Sequence, residues 1–130
     1  MKLRSLGIVA FLGTAALLSS CKKDSSSASI VGTWTETQYI DDDNSNGSPD
    51  DTPTTVSGAS AATITFNSNG SGTINQGGSS IPFTWTLNGS TLHTVTIGSS
   101  ADVTVVELTS SKLTIKDATS TPIEWDYFTR

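Results

Sequence analysis

One cysteine and one histidine among 130 residues close off much of the usual chemistry. A lone Cys21 excludes an internal disulfide and every multi-cysteine metal site. A lone His93 leaves no paired-histidine zinc spacing, and no glycine-rich phosphate loop appears. Basic side chains are also scarce: seven Lys and Arg stand against twelve Asp and Glu, a net charge of −5. Nucleic-acid binding needs a basic patch or stripe, and this chain has none. Strong helix formers never cluster after Cys21, so parallel strands joined by helical crossovers are excluded. Ser, Thr and Gly dominate instead, a composition that points to β structure.

The one long apolar run is Leu6–Leu18, preceded by Lys2 and Arg4. At ~1.5 Å rise per residue it spans about 20 Å, short of a bilayer core of roughly 30 Å. It therefore reads as the h-region of an export signal over residues 1–20 and not as a transmembrane helix. The segment Leu18-Ser19-Ser20-Cys21 resembles the lipobox of bacterial lipoproteins. That resemblance implies diacylation of Cys21, cleavage before it and a further acyl group on its amine. The alternative is an ordinary signal peptide that happens to contain a cysteine. Two or three acyl chains hold a protein on a membrane durably, at roughly 0.8 kcal/mol per buried methylene. Lys22 and Lys23 follow, then a polar stretch to Ser29, so residues 21–29 read as a lipidated cysteine and flexible tether. The expected location is the bacterial cell envelope, on the outer membrane, with the face undetermined. Without residues 1–20, five basic side chains oppose the twelve acidic ones, a formal charge of −7.

Residues 30–130 form one domain with one core. Eight strands are predicted, at 30–40, 61–67, 71–76, 80–88, 91–97, 102–108, 112–117 and 121–129. Ile81, Phe83, Trp85 and Leu87 alternate with polar neighbours, as do Ile64 and Phe66, and Leu113 and Ile115. Ile123, Trp125 and Tyr127 alternate with Glu124 and Asp126, which places the aromatic stripe inside and the two carboxylates in solvent. Turn residues such as Asn67-Ser68-Asn69-Gly70 and Asn88-Gly89 join the strands. A meander of eight short strands closes most naturally into an all-β antiparallel up-and-down barrel with no C-terminal helix. Residues 41–60 are the exception, a long loop between the first two strands.

Gly32-Thr33-Trp34 on the first predicted strand is similar to the Gly-x-Trp signature of lipocalins and related calycin barrels. Ile64 to Thr73, Trp85 to Gly89 and Val106 to Leu113 add to that likeness. Together they resemble small lipocalin-like lipoproteins of Gram-negative bacteria over Ile30 to Arg130. The resemblance implies that Arg130 packs over Trp34, a cation–π contact worth roughly 0.5–2 kcal/mol. It also implies a small apolar or amphipathic ligand near the mouth, lined by Phe83, Trp85, Trp125 and Tyr127. The same aromatics would equally serve as filling, because eight strands enclose space only just sufficient for side chains. The expected state is a monomer.

Asp42, Asn44 and Asn46 stand at alternate positions with Gly47 next, the spacing that wraps oxygens around calcium. Ser48 offers a backbone carbonyl and Asp50 takes the ninth position, making Ca²⁺ the candidate cofactor. The match is incomplete, because Pro53 replaces the bidentate carboxylate; Asp51 or Asp41 would have to substitute. The bland alternative is a solvated acidic loop that aids solubility. A calcium-stiffened loop would suit a structural or interaction lipoprotein facing a protein or glycan partner. No catalytic residue is assigned. His93 is a lone strand histidine, no serine has a nucleophile context, and Glu107, Glu124 and Asp126 lack a predicted pocket.

Overall fold

The computed structural model describes residues 27–43, 46, 48–49 and 51–130. Its strands are β1 (Gly32–Asp42), β2 (Thr54–Thr55), β3 (Thr63–Phe66), β4 (Ser71–Gln76) and β5 (Ser79–Asn88). Then follow β6 (Thr91–Thr96), β7 (Ser99–Leu108), β8 (Lys112–Asp117) and β9 (Ile123–Thr129). Each consecutive pair from β3 to β9 is antiparallel, β3 pairs with β1, and β1 also pairs with β9. The sheet is therefore a closed up-and-down barrel of eight strands, with β2 as an addition. Closure removes the unpaired edges that would otherwise template aggregation.

The long connection is more structured than its sequence suggests. Thr54 and Thr55 pair with Tyr39 and Gln38, continuing the β1 edge that β3 occupies through Gly32–Thr35. A 3-10 turn at Gly58–Ser60 then leads to Ala62, which bonds Glu36 both ways. The Ala62 carbonyl accepts from the Glu36 amide at 2.8 Å, and the Ala62 N–H donates to Glu36 Oε2 at 3.1 Å. Two strand residues are too few to show alternation, which is why β2 is invisible in the sequence.

Directly paired residues point to the same side of a sheet, so the register sorts the side chains. The interior holds Trp34, Phe66, Phe83, Leu92, Leu113, Ile115 and Phe128. Trp34, Leu92 and Leu113 are at most 1 % exposed. Burying each leucine contributes roughly 1.5–3 kcal/mol. Phe66 meets Phe83 and Trp85 edge-on, at centroid distances of 5.5 and 5.4 Å. Gly72 makes room for this group, because a Cβ there would collide with the Phe83 ring and the Thr65 carbonyl.

The two ends of the barrel differ. At the end where β1 begins, the Arg130 guanidinium lies 4.1 Å from the Trp34 ring centroid. It also donates to the carbonyls of Val31, Ser110 and Ser29 at 2.8, 2.9 and 3.2 Å. The Trp34 indole N–H donates to the Ile30 carbonyl at 2.8 Å. Gly32 sits beneath this lattice at φ +134°, and a Cβ there would come within 2.7 Å of Arg130 Nη1. Arg130 and Trp34 thus plug one end. The other end carries the β1–β3 connection and the β4–β5, β6–β7 and β8–β9 turns, and it is the mouth.

Candidate functional site

One inner wall of the mouth is acidic. Leu113 pairs with Phe128 and Ile115 with Asp126, so Asp126 points inward two residues above the buried Phe128. Glu124 follows on the same face and pairs with both Asp117 and Asp41. On β1 a bulge between Glu36 and Gln38 shifts the register, so Glu36 and then Tyr39 and Asp41 face inward. Five carboxylates from β1, β8 and β9 therefore line one wall. They grade from exposed (Asp41, Glu124) through half-buried (Asp117, Asp126) to buried (Glu36). The inner faces of β3 to β7 carry apolar or neutral side chains, among them Ile64, Ile74, Gln76, Ile81, Thr94 and Val103.

Between the walls lie two spaces. A recess of about 360 Å³ at the mouth is lined by Glu36, Tyr39, Val56, Ser60, Gln76 and Glu124. Deeper in, a chamber of about 150 Å³ is bounded by Ile64, Phe66, Ile74, Phe83, Leu92, Val103, Ile115 and Phe128, with Thr94 and Asp126 as its polar members. Such a chamber matches the size of a single benzene-like ring. The Asp126 carboxyl accepts no hydrogen bond among the described residues. Burial pushes its pKa up to about 7, helped by the charges of Glu124, Glu36, Asp41 and Asp117. Glu124 is raised for the same reasons, burial first and then Asp41, Asp117 and Glu36.

The lipocalin-like domain family matches residues 30–115. The chain belongs to this family. Among solved structures it is similar to a lipocalin-like protein from Bacteroides uniformis ATCC 8492, at TM-score 0.55 and 15 % identity. That alignment covers 77 % of this chain and 96 % of the other. At this identity the likeness speaks for the fold alone. Among curated proteins none matches the chain at a significant level.

The lipocalin-like barrel places the expected ligand-site residues on different faces. Phe83 borders the inner chamber, and Trp85 packs inside on Phe66, its indole N–H donating to the Ser71 carbonyl at 2.9 Å. Trp125 and Tyr127 do not line the interior. Trp125 pairs with Lys116 and Ile40 on the outer face, where the Lys116 ammonium lies 4.8 Å from its ring. It is only 6 % exposed there, and its indole N–H has no hydrogen-bond partner among the described residues. Tyr127 lies beside Thr114 on the same outer side, and burial raises its pKa. Glu124 and Asp126, expected in solvent, face inward instead. The misassignment has one cause: Ile123, Trp125 and Tyr127 are an apolar stripe on the outside, so alternation alone inverted β9. The signal in the sequence was Phe128, an aromatic in phase with the two carboxylates.

His93 lies on the outer face and pairs with Asp102 at 2.6 Å, both of them exposed. Glu107 accepts at 3.5 Å from the Thr114 hydroxyl, away from the mouth. Cys21, Asn44 and Asp50 lie outside the described residues. Of the other proposed calcium ligands, Asp42 ends β1 fully buried, and Asn46 Oδ1 accepts from the Ser48 N–H at 2.9 Å. Asp51 Oδ2 accepts from the Asp43 N–H at 3.1 Å. Among the described residues no three His, Cys, Asp or Glu side chains are grouped to hold a metal.

Proposed function

We propose that the protein is a lipid-anchored, non-catalytic lipoprotein of the outer membrane that binds a small apolar or amphipathic molecule. The observation that carries this reading is the pair of spaces within the barrel, the recess at the mouth and the largely apolar chamber among the strands. Ligand sites are typically concave and largely apolar with a few placed polar groups, and this space has that character. The space is small, so the ligand is small. The tether enters at the plugged end, beside Ile30 and Arg130, so an anchor on Cys21 points the mouth away from the bilayer.

Titration of the full chain with N-phenylnaphthylamine tests the binding half. Saturable fluorescence enhancement, weakened by Val103→Phe, which fills the chamber, supports it. No enhancement removes it. For the anchoring half, Cys21→Ser is expected to move the protein from the membrane to the soluble fraction and to abolish palmitate labelling. Unchanged fractionation would count against the lipid.

A second reading, a display lipoprotein with a calcium-stiffened loop, rests on the Asp42-x-Asn44-x-Asn46-Gly47 spacing and the backbone hydrogen bonds to Asn46 and Asp51. A rise in melting temperature with millimolar calcium supports it. An unchanged melting temperature discards it.

A further inference from the structure

Granting the ligand-binding reading above, we propose that the ligand is a cationic amphiphile, a small organic amine whose apolar body fills the chamber while its ammonium faces Asp126 and Glu124. The proposal starts from the chamber and not from acidity alone. Mostly apolar side chains border a half-open space of about 150 Å³, and one carboxyl, that of Asp126, opens onto that space without accepting a hydrogen bond from any described residue. A carboxylate beside an apolar cavity is costly to keep unless a positive partner or a proton joins it. Among the described residues no such partner lies within the barrel. Lys112 and Lys116 leave β8 on its outer face, Arg130 is committed to the plug, and His93 pairs with Asp102 outside.

The asymmetry of the walls orients such a ligand. Among the described residues every charged side chain facing Asp126 is negative: Glu124 on its own strand, Asp117 on β8, Glu36 and Asp41 on β1. Tyr39 pairs with it directly and is neutral. The opposite wall, from β3 to β7, is neutral: mostly apolar at chamber level, with Thr94 as its polar member, and at the rim it holds Gln76 near Ile81, which is 47 % exposed. A neutral ligand would leave the acidic wall unsatisfied, and an anion would be repelled. An amine with a short alkyl or aryl body satisfies both walls, its N–H groups making charge-assisted hydrogen bonds. Protonation of Asp126 near neutrality gives such a site a pH-dependent grip, strongest above pH of about 7.

Calorimetric titration of the full chain with hexylamine, hexanol and hexanoate tests this. At about pH 8.5, where hexylamine remains charged, it is expected to bind about tenfold or more tightly than hexanol, with hexanoate weakest. Asp126→Asn is expected to narrow the amine-to-alcohol ratio to roughly twofold, and acidification to about pH 5.5 to narrow it in the parent chain. Glu124→Gln, at an exposed rim position, is expected to narrow it partially and guards against misfolding of the Asp126 variant. Equal affinity for hexylamine and hexanol, or a preference unchanged in both variants, overturns the cation while leaving the ligand-binding reading intact. Binding of none of the three overturns both.

Discussion

Asp126→Asn tests the electrostatics of the barrel interior through stability alone. The carboxyl titrates at about 7 in the fold against 3.8 for the free group, because burial and four neighbouring carboxylates disfavour its charge. Between those two values the folded chain binds more protons than the unfolded chain, so stability falls as pH rises through that window. About three pKa units at 1.36 kcal/mol each give a ceiling of about 4 kcal/mol. Going from pH 8 to pH 5.5 crosses only the part of that window between about 7 and 5.5, which caps the effect at about 2 kcal/mol. Solvent at the mouth screens part of this, and about 1 kcal/mol is the working figure. For a domain of this size that corresponds to a melting temperature roughly 4–8 °C higher at pH 5.5 than at pH 8. Asparagine keeps the shape of the protonated acid, so the variant is expected to lose most of this dependence and to melt higher than the parent at pH 8. Glu124 shifts in the same direction and supplies a smaller residual slope. Thermal melts followed by near-ultraviolet circular dichroism at the two pH values read this directly. A parent protein that melts lower at pH 5.5 than at pH 8, in parallel with the variant, would refute the inward placement of Asp126.

Four other substitutions probe the plugged end and the two faces of the barrel wall. Arg130→Ala removes three side-chain hydrogen bonds and the stacking on Trp34, and is expected to cost about 1–3 kcal/mol in urea unfolding without altering ligand affinity. Gly32→Ala forces a side chain into φ +134° and against Arg130 Nη1, and should destabilise by roughly 1–3 kcal/mol; a neutral effect would deny the close approach. Trp125→Phe is expected to leave affinity for N-phenylnaphthylamine unchanged, whereas Phe83→Ala at the chamber weakens it. The reverse pattern would return Trp125 to the interior.

Much of the fold was legible because barrel strands alternate where one side is wet. Ile81-Phe83-Trp85-Leu87 and Leu113-Ile115 carry that pattern cleanly, and both do face inward. The Gly32-x-Trp34 pair was legible only through family likeness; its physical reason, room for the Arg130 guanidinium, appears in three dimensions. Alternation failed where the outer face is also covered. Trp125 and Ile40 are buried on the outside, so β9 looks inverted in sequence. On β1 the bulge after Glu36 changes which side each residue faces, and no residue type announces it. The acidic wall arises from these two features together. Asp41, Glu36, Asp117, Glu124 and Asp126 come from three strands, and only the register brings them to one surface.

The most direct test of the central claim is a map of amide chemical-shift changes as hexanol, a neutral probe, is titrated into the isotopically labelled full chain. Saturable shifts are expected at Ile74, Phe83, Val103 and Asp126, with Trp125, Tyr127 and the Arg130 end unmoved. Shifts centred on Trp125 and Tyr127, or none at any residue, would contradict a binding site inside the barrel.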